Sequence, residues 1–347
     1  MCDVFNNLIA TTPWRIIKNG DRSLYLDYFG RNHDPYLYEN NWAFVCQEAR
    51  LIGVRYCDGT MLASMVSKDV ASPNVILFAP LGDRSAFARN AALLVAQVQS
   101  AIGKRVIVRR APVALRDELL ATGAFTIVPA ESFAYACDVP EDVFPQVIVD
   151  TNRTAVLPGT ALQPARNHIN HLRRLHRVSV SDASSVGVSA VEELVWRWQQ
   201  QHHDRMLRQG NSTVSQADAS AYTTFLKHFG DQLDDKKYFG RILLIDGVLS
   251  GFAFAARTSA TCASLYASVC VLGVRGAADE LIVGVARALA DAGVPFLNLG
   301  GAETKGLHDF KRKYQPVALI PTYDLTLQQA SHNRISANVT LARSSQC

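Results

Sequence analysis

Twice in this chain an Asp-Gly pair stands between two apolar segments of strand character. Asp58-Gly59 separates "LIGVRYC" from "TMLASMV", and Asp246-Gly247 separates "YFGRILLI" from "VLSGFAFAAR". Such a pair accepts the positive φ angles of a two-residue turn whose twist matches the flanking strands, so each reads as a β-hairpin. Each hairpin is followed by a strand, an alanine-rich helix ended by glycine, and another strand. In the first half these are "NVILFAPLG", residues 85–102 closed by Gly103, and "RVIVRRAP"; in the second they are "CASLYASVCVL", "GAADELIVGVARALADAG" stopped by Gly293, and "PFLNLGG". An organisation that repeats without repeated lettering predicts an α/β (mixed α+β) chain of two similar lobes, each a mixed sheet flanked by helices. The total of 347 residues agrees, since one hydrophobic core stops growing at about 250–300 residues. The boundaries read as 1–155 for the first lobe, 156–330 for the second and 331–347 for a poorly ordered tail.

Between the lobes, "VPEDVFPQVIVDTNRTAVLPGTALQP" holds four prolines and reads as a connector. Pro164 then opens a helix over "ARNHINHLRRLH", a second helix covers about Val191–Leu207, and a third runs from Asp218 to Phe229 with Ser215 or Asp218 as its cap. "VALIPTYDLTL" reads as the last strand.

Charge and cysteine usage exclude some classes. Lys and Arg number 35 against 31 Asp and Glu, so an anionic partner must be met by a local patch and not by bulk charge. The seven cysteines form no CxxC and none has a His at zinc-ligand spacing, which predicts reduced thiols in a cytoplasmic protein. The N-terminal segment lacks the form of a signal peptide, and no apolar run approaches the ~20 residues of a membrane span. His168 with His171 and the adjacent His202-His203 lack a local acid or cysteine to complete a ligand set, and no GxSxG elbow is present. No metal and no resident cofactor are expected. Trp196 and Trp198, two apart on a helix, face different ways, one to the core and one to its edge.

Two stretches concentrate chemistry. "ARNHINHLRRLHR" carries four arginines and three histidines without one acid; Arg166, Arg173 and Arg177 share a face, and Ile169 and Leu172 mark the core side. Either an anion lies near that face or acids from elsewhere in the fold pair with it. "NLGGAETKGLHDFKRKYQP" joins a glycine pair to a short cationic helix. The layout also fits the GNAT acyltransferase architecture. A CoA-using member carries an R/Q-x-x-G-x-G/A turn whose backbone N–H groups hold a pyrophosphate. Here that junction reads "VLGVRGAADEL", with Asp279 and Glu280 in the first helical turn, which suits a helix dipole with no phosphate on it.

Taken together, "LPGTALQPARNHINHLRR" and "GLHDFKRKYQPVALIPTYDL" resemble the soluble relatives of the phosphatidylglycerol lysyltransferase C-terminal domain, which are tandem GNAT-fold proteins. The family's L-x-G-x-x-L-x-x-x-R-N-x-I-N segment is matched by Leu157, Gly159, Leu162, Arg166, Asn167, Ile169 and Asn170. Its G-L-x-x-x-K-x-x-[FY]-x-P element is matched by Gly306, Leu307, Lys311, Tyr314 and Pro316, with Tyr323 in the strand that follows. Phe310-Lys311 also resembles the F-K-x-x-[FY] element of Fem-type peptidoglycan aminoacyltransferases.

The resemblance implies two GNAT-like lobes and the transfer of an amino acid from aminoacyl-tRNA to an amine or hydroxyl of a small molecule, peptide or lipid. It implies Lys311 as the ammonium facing the developing oxyanion, with His308 and Glu303 nearby for proton transfer, unless the ribose hydroxyl beside the ester serves. It implies Arg166, Asn167, Asn170, Arg173, Asn298, Gly300, Gly301, Lys305, Phe310, Lys313 and Tyr314 as the lining of the substrate and tRNA groove. The rival expectations are an N-acyltransferase using acetyl-CoA or another acyl-CoA, and a non-catalytic module that binds RNA or anionic lipid.

Overall fold

The computed structural model describes residues 14–16, 23, 52–57, 61–66, 74–78, 81–82, 84–128, 145–208, 238–302 and 304–328. The expected 218–229 helix and the 331–347 tail lie outside these residues. The chain divides into two compact units, one comprising 1–146, 301–304 and 320–347, the other 147–300 and 305–319.

In the first unit, β1 (Arg15–Ile16), β2 (Ile52–Cys57), β3 (Met61–Val66), β4 (Asn74–Phe78), β5 (Leu81–Gly82), β6 (Arg105–Pro112) and β7 (Phe125–Ile127) alternate with α1 (Arg84–Ile102) and α2 (Val113–Ala121). β2 and β3 pair antiparallel, as expected of a hairpin, with Cys57 opposite Met61; Asp58-Gly59 themselves lie outside the described residues. β4 and β6 run parallel, because α1 carries the chain back between them. Gly103 ends α1 at φ +65°, its N–H donating to the Gln99 carbonyl at 2.9 Å. The core gathers Val75 and Leu77 from β4, Leu94, Val95 and Val98 from α1, and Val106 and Val108 from β6.

The second unit is built from β8 (Gln146–Asp150), α3 (Thr151–Val156), α4 (Gln163–Leu175), β9 (Val178–Asp182), α5 (Val188–Arg208), β10 (Tyr238–Ile245), β11 (Val248–Arg257), β12 (Cys262–Cys270), α6 (Ala277–Asp291), β13 (Phe296–Asn298), α7 (Lys305–Arg312) and β14 (Ala318–Ile320). Its sheet has the order β14-β8-β13-β12-β11-β10-β9. β10 and β11 form the second hairpin, with Asp246 at φ +53° and Gly247 at φ +82° in the turn. β12 and β13 are parallel because α6 lies between them in the chain. α6 is buried along most of its length: Leu281, Ile282, Val285 and Leu289 join Ala253 and Ala255 of β11 and Ile169 and Leu172 of α4 in one core. Phe252 and Phe254 alternate with those alanines and face the other side of the sheet, and α5 contacts β11 and β12. Trp196 on α5 is exposed and Trp198 half-buried.

Two segments differ from their sequence reading. The proline-rich connector contains a buried strand: Val147, Ile148 and Val149 of β8 have no exposed surface, and β8 lies between β14 and β13. A strand covered on both faces shows no alternation, and its three apolar letters are outweighed by the surrounding prolines. "VALIPTYDLTL" is two strands, not one. It breaks at Pro321, so that β14 joins the second sheet and β15 (Thr322–Leu327) inserts between β6 and β7 in the first.

Candidate functional site

In the second unit, charged and polar side chains from α4 and from the end of α7 gather around the first turn of α6. Gly276 caps this helix in the left-handed conformation, at φ +92°. It has no space for a side chain, since a Cβ built there falls 2.4 Å from the His168 carbonyl oxygen and 3.1 Å from Leu172 Cβ, both on α4. α4 is thereby held directly across the N-terminus of α6. Asp279 and Glu280, in that first turn, are 3% and 2% exposed. A buried carboxylate is tolerated only where it is charge-paired or hydrogen-bonded, and both of these are. The positive end of the α6 dipole adds to their stabilisation.

Asp279 is shared by three partners from two elements. Tyr314 Oη donates to Oδ1 at 2.6 Å, the Lys313 ammonium pairs with the same oxygen, and His168 Nδ1 lies 3.1 Å from Oδ2. Glu280 is met by Arg173 in a two-bond fork, Nε to Oε2 at 2.9 Å and Nη2 to Oε1 at 2.5 Å. Burial lowers the pKa of Lys313, and the charge of Asp279 opposes that effect. Burial, reinforced by the same carboxylate, holds the Tyr314 phenol well above its ordinary value and pushes the Cys270 thiol up to about 12. Lys313 Nζ also lies 3.9 Å from the centre of the Phe310 ring, which meets Tyr314 edge-on at 5.9 Å.

α7 carries the rest of the cationic signature. Its last turn holds Lys311, half-buried, and Arg312, exposed, at the helix end whose dipole favours cations. Beside it a cleft of about 680 Å³ is lined by polar Asp309, Arg312, Lys313 and Gln315 and by apolar Val317 and Leu319, among others. His308 is 7% exposed and has its pKa lowered, first by burial and then by the charge of Arg312, with Lys311 and Lys305 adding to it. A depressed imidazole pKa means that the unfolded chain takes up the proton more readily. Stability from this group is therefore complete above about pH 6.5 and is lost as pH falls below it. Thermal unfolding from pH 7.5 to pH 5 should show a falling midpoint that is flatter in His308→Gln; identical slopes would remove this assignment.

The remaining sequence candidates have defined places. Arg166 donates through Nη1 to the carbonyls of Leu157 and Gly159 (3.1 Å for the latter), closing the end of α3, where Leu157 is left-handed at φ +51°. Asn167 and Asn170 are exposed on α4. Asn298 is fully buried on β13, where its Oδ1 accepts from the Gly300 N–H at 2.7 Å. Lys305 pairs with Asp309 one helical turn on, at 2.5 Å. Gly301 belongs to the other compact unit, and Glu303 lies outside the described residues. Thus Lys313, Tyr314 and Phe310 are brought together around Asp279, Arg173 is held beside them by Glu280, and Arg166 is engaged elsewhere. Sequence reasoning missed Asp279, Glu280 and His168 as members of the cluster. The available signal was two adjacent acids in the first turn of a mostly apolar helix, in a chain that also holds an acid-free basic helix. Among the described residues no group of three or more His, Cys, Asp or Glu side chains is gathered as for a metal ion, and no helix is long and apolar enough to cross a membrane.

The chain matches the family described as "Phosphatidylglycerol lysyltransferase, C-terminal" over residues 58–326. No curated protein matches it. Among solved structures, it is similar to a conserved protein of unknown function from Bacteroides thetaiotaomicron (16% identity, 91% of this chain and 99% of that one, TM-score 0.69). L-PGS from Bacillus licheniformis is also similar, at 14% identity over 94% of this chain and 97% of that one, with a TM-score of 0.61. FemX follows at 11% identity, 93% and 99% coverage and a TM-score of 0.58. At these identities the likeness shows a shared fold.

Proposed function

Because the chain belongs to the family of the phosphatidylglycerol lysyltransferase C-terminal domain, we propose that it is an aminoacyltransferase that takes its amino acid from aminoacyl-tRNA and delivers it to an amine or hydroxyl acceptor. The observation that carries this reading is the state of the α6 N-terminus. A CoA-dependent enzyme of GNAT architecture presents backbone N–H groups there to a pyrophosphate. In this chain Asp279 and Glu280 occupy that turn as buried carboxylates, and the His168 carbonyl takes the space a side chain on Gly276 would need. A pyrophosphate placed there would meet two carboxylates and the backbone of α4. The donor must then be recognised elsewhere, and the cationic end of α7 suits an ester that arrives attached to phosphates.

In this reading Lys311 faces the carbonyl oxygen as it becomes an alkoxide, and Arg312 and Lys313 meet phosphate at the cleft wall. His308 lies on the same helix for proton transfer, its neutral form favoured by burial. The test is to incubate the protein with a pool of radiolabelled aminoacyl-tRNAs, phosphatidylglycerol vesicles and a cell extract. Label should leave one tRNA species and appear in one acceptor. Micromolar binding of acetyl-CoA by calorimetry would favour the acyl-CoA rival. Salt-dependent tRNA binding that ignores charging, without transfer, would leave only a binding module.

A further inference from the structure

The three partners of Asp279 have a consequence for the substrate cleft. Lys313 reaches it from the turn after α7 and is also part of the cleft wall; its side chain is 18% exposed, while that of Asp279 is 4% exposed. Tyr314, next in sequence, is 1% exposed and donates to the same carboxylate oxygen. Two consecutive residues are therefore pinned to one point on α6, and they fix the end of the helix that carries Lys311. A long lysine side chain at a cleft wall ordinarily samples many rotamers. Here the carboxylate on one side and the Phe310 ring on the other confine the ammonium.

We propose that Asp279 is a positioning residue of the transfer site: it holds the Lys313 ammonium at the cleft wall, as a charge, for the phosphate-bearing donor. This rests on the aminoacyltransferase reading above. Burial alone disfavours the charged form of Lys313, and Asp279 is the group that offsets it. The other groups facing this cluster are Glu280 in the same turn with Arg173 of α4 upon it, His168 of α4 on the second carboxylate oxygen, Tyr314, Cys270 of β12, and Asp309 and Arg312 on the cleft wall. None of these can replace Asp279: Glu280 is taken by Arg173 and Asp309 by Lys305, and the others are not carboxylates.

The experiment has two readouts. Amine-reactive labelling of Lys313, followed by mass spectrometry across pH 7–11, reports its titration whether or not the protein transfers anything. In Asp279→Asn the midpoint should move down by about one pH unit or more. On the radiolabelled aminoacyl-tRNA pool kcat/KM should fall about 10²-fold, mostly through a higher KM for tRNA and with kcat changed far less. The alkaline limb of its pH profile should move down with the labelling midpoint. Lys313→Met should lose a similar factor. Lys313→Arg, whose guanidinium does not titrate in this range, should keep transfer and lose the limb. Circular dichroism on each variant identifies folding failure; should Asp279→Asn not fold, the two Lys313 variants carry the test. Unchanged labelling and an unchanged alkaline limb in a folded Asp279→Asn would overturn the positioning role. A wild-type protein whose Lys313 titrates as described, but which transfers nothing, would overturn the functional reading instead.

Discussion

Lys311→Ala should reduce the transfer rate by about 10²–10³-fold while leaving the protein folded, the loss typical of removing one donor to a developing oxyanion. Lys311 is half-buried in the last turn of α7. At that depth an ammonium is less screened than at an open surface, so its field on a reacting carbonyl is correspondingly larger. The helix end itself contributes a partial negative charge that favours a cation at this position. The effect should appear equally in kcat and kcat/KM, because the charge it stabilises exists only in the transition state. A binding role predicts a different pattern, with KM for tRNA rising and kcat preserved. Single-turnover measurement on pre-bound aminoacyl-tRNA separates the two. A folded Lys311→Ala variant with wild-type turnover would remove this lysine from the mechanism.

The second large effect concerns stability. Gly276→Ala should destabilise the second unit by about 3–4 kcal/mol and lower its melting temperature by roughly 10 °C. Two penalties combine. The backbone sits at φ +92°, where an L side chain is strained, and the new Cβ would approach the His168 carbonyl oxygen to 2.4 Å. The obstructing atoms are backbone, so relief requires α4 to shift. That helix is anchored by Ile169 and Leu172 in the core and by the Arg173–Glu280 fork. Gly273→Ala is the matched control. Its φ is +87°, yet nothing lies within 4 Å of a Cβ there, so only the conformational penalty of about 1 kcal/mol applies. Equal urea midpoints for the two variants would show that the α4–α6 contact is not tight.

Much of the fold was legible because its signals are local. Asp246-Gly247 closes a hairpin by its own φ preference, whatever surrounds it. Ala165, Ile169 and Leu172 recur at helical spacing, and they are the buried residues of α4. β8 escaped notice because a strand buried on both faces has no alternating pattern, and proline-rich flanks resemble a linker. Pro321 marks where "VALIPTYDLTL" divides, but no residue in β15 announces that it pairs with β6 and β7. Strand letters encode which face is buried, not which sheet is joined.

The candidate site divides along the same line. The cationic signature of α7 and the acid-free face of α4 are written in consecutive residues, and so is the presence of two acids at the start of α6. Which cation meets which acid is not. His168 and Asp279 are 111 residues apart, Arg173 and Glu280 are 107 apart, and Tyr314 reaches Asp279 across 35. From sequence, Asp279 and Glu280 serve a helix dipole; in the structure they anchor α4 and the end of α7 to α6. A carboxylate accepts any cation that arrives with the right geometry, so its partner is chosen by how helices pack and not by neighbouring letters. By itself, then, the sequence determined the turns, the helix faces and the family. The tertiary structure decided that Arg173 answers a buried acid and that Lys313 stands at the cleft with its charge balanced by Asp279.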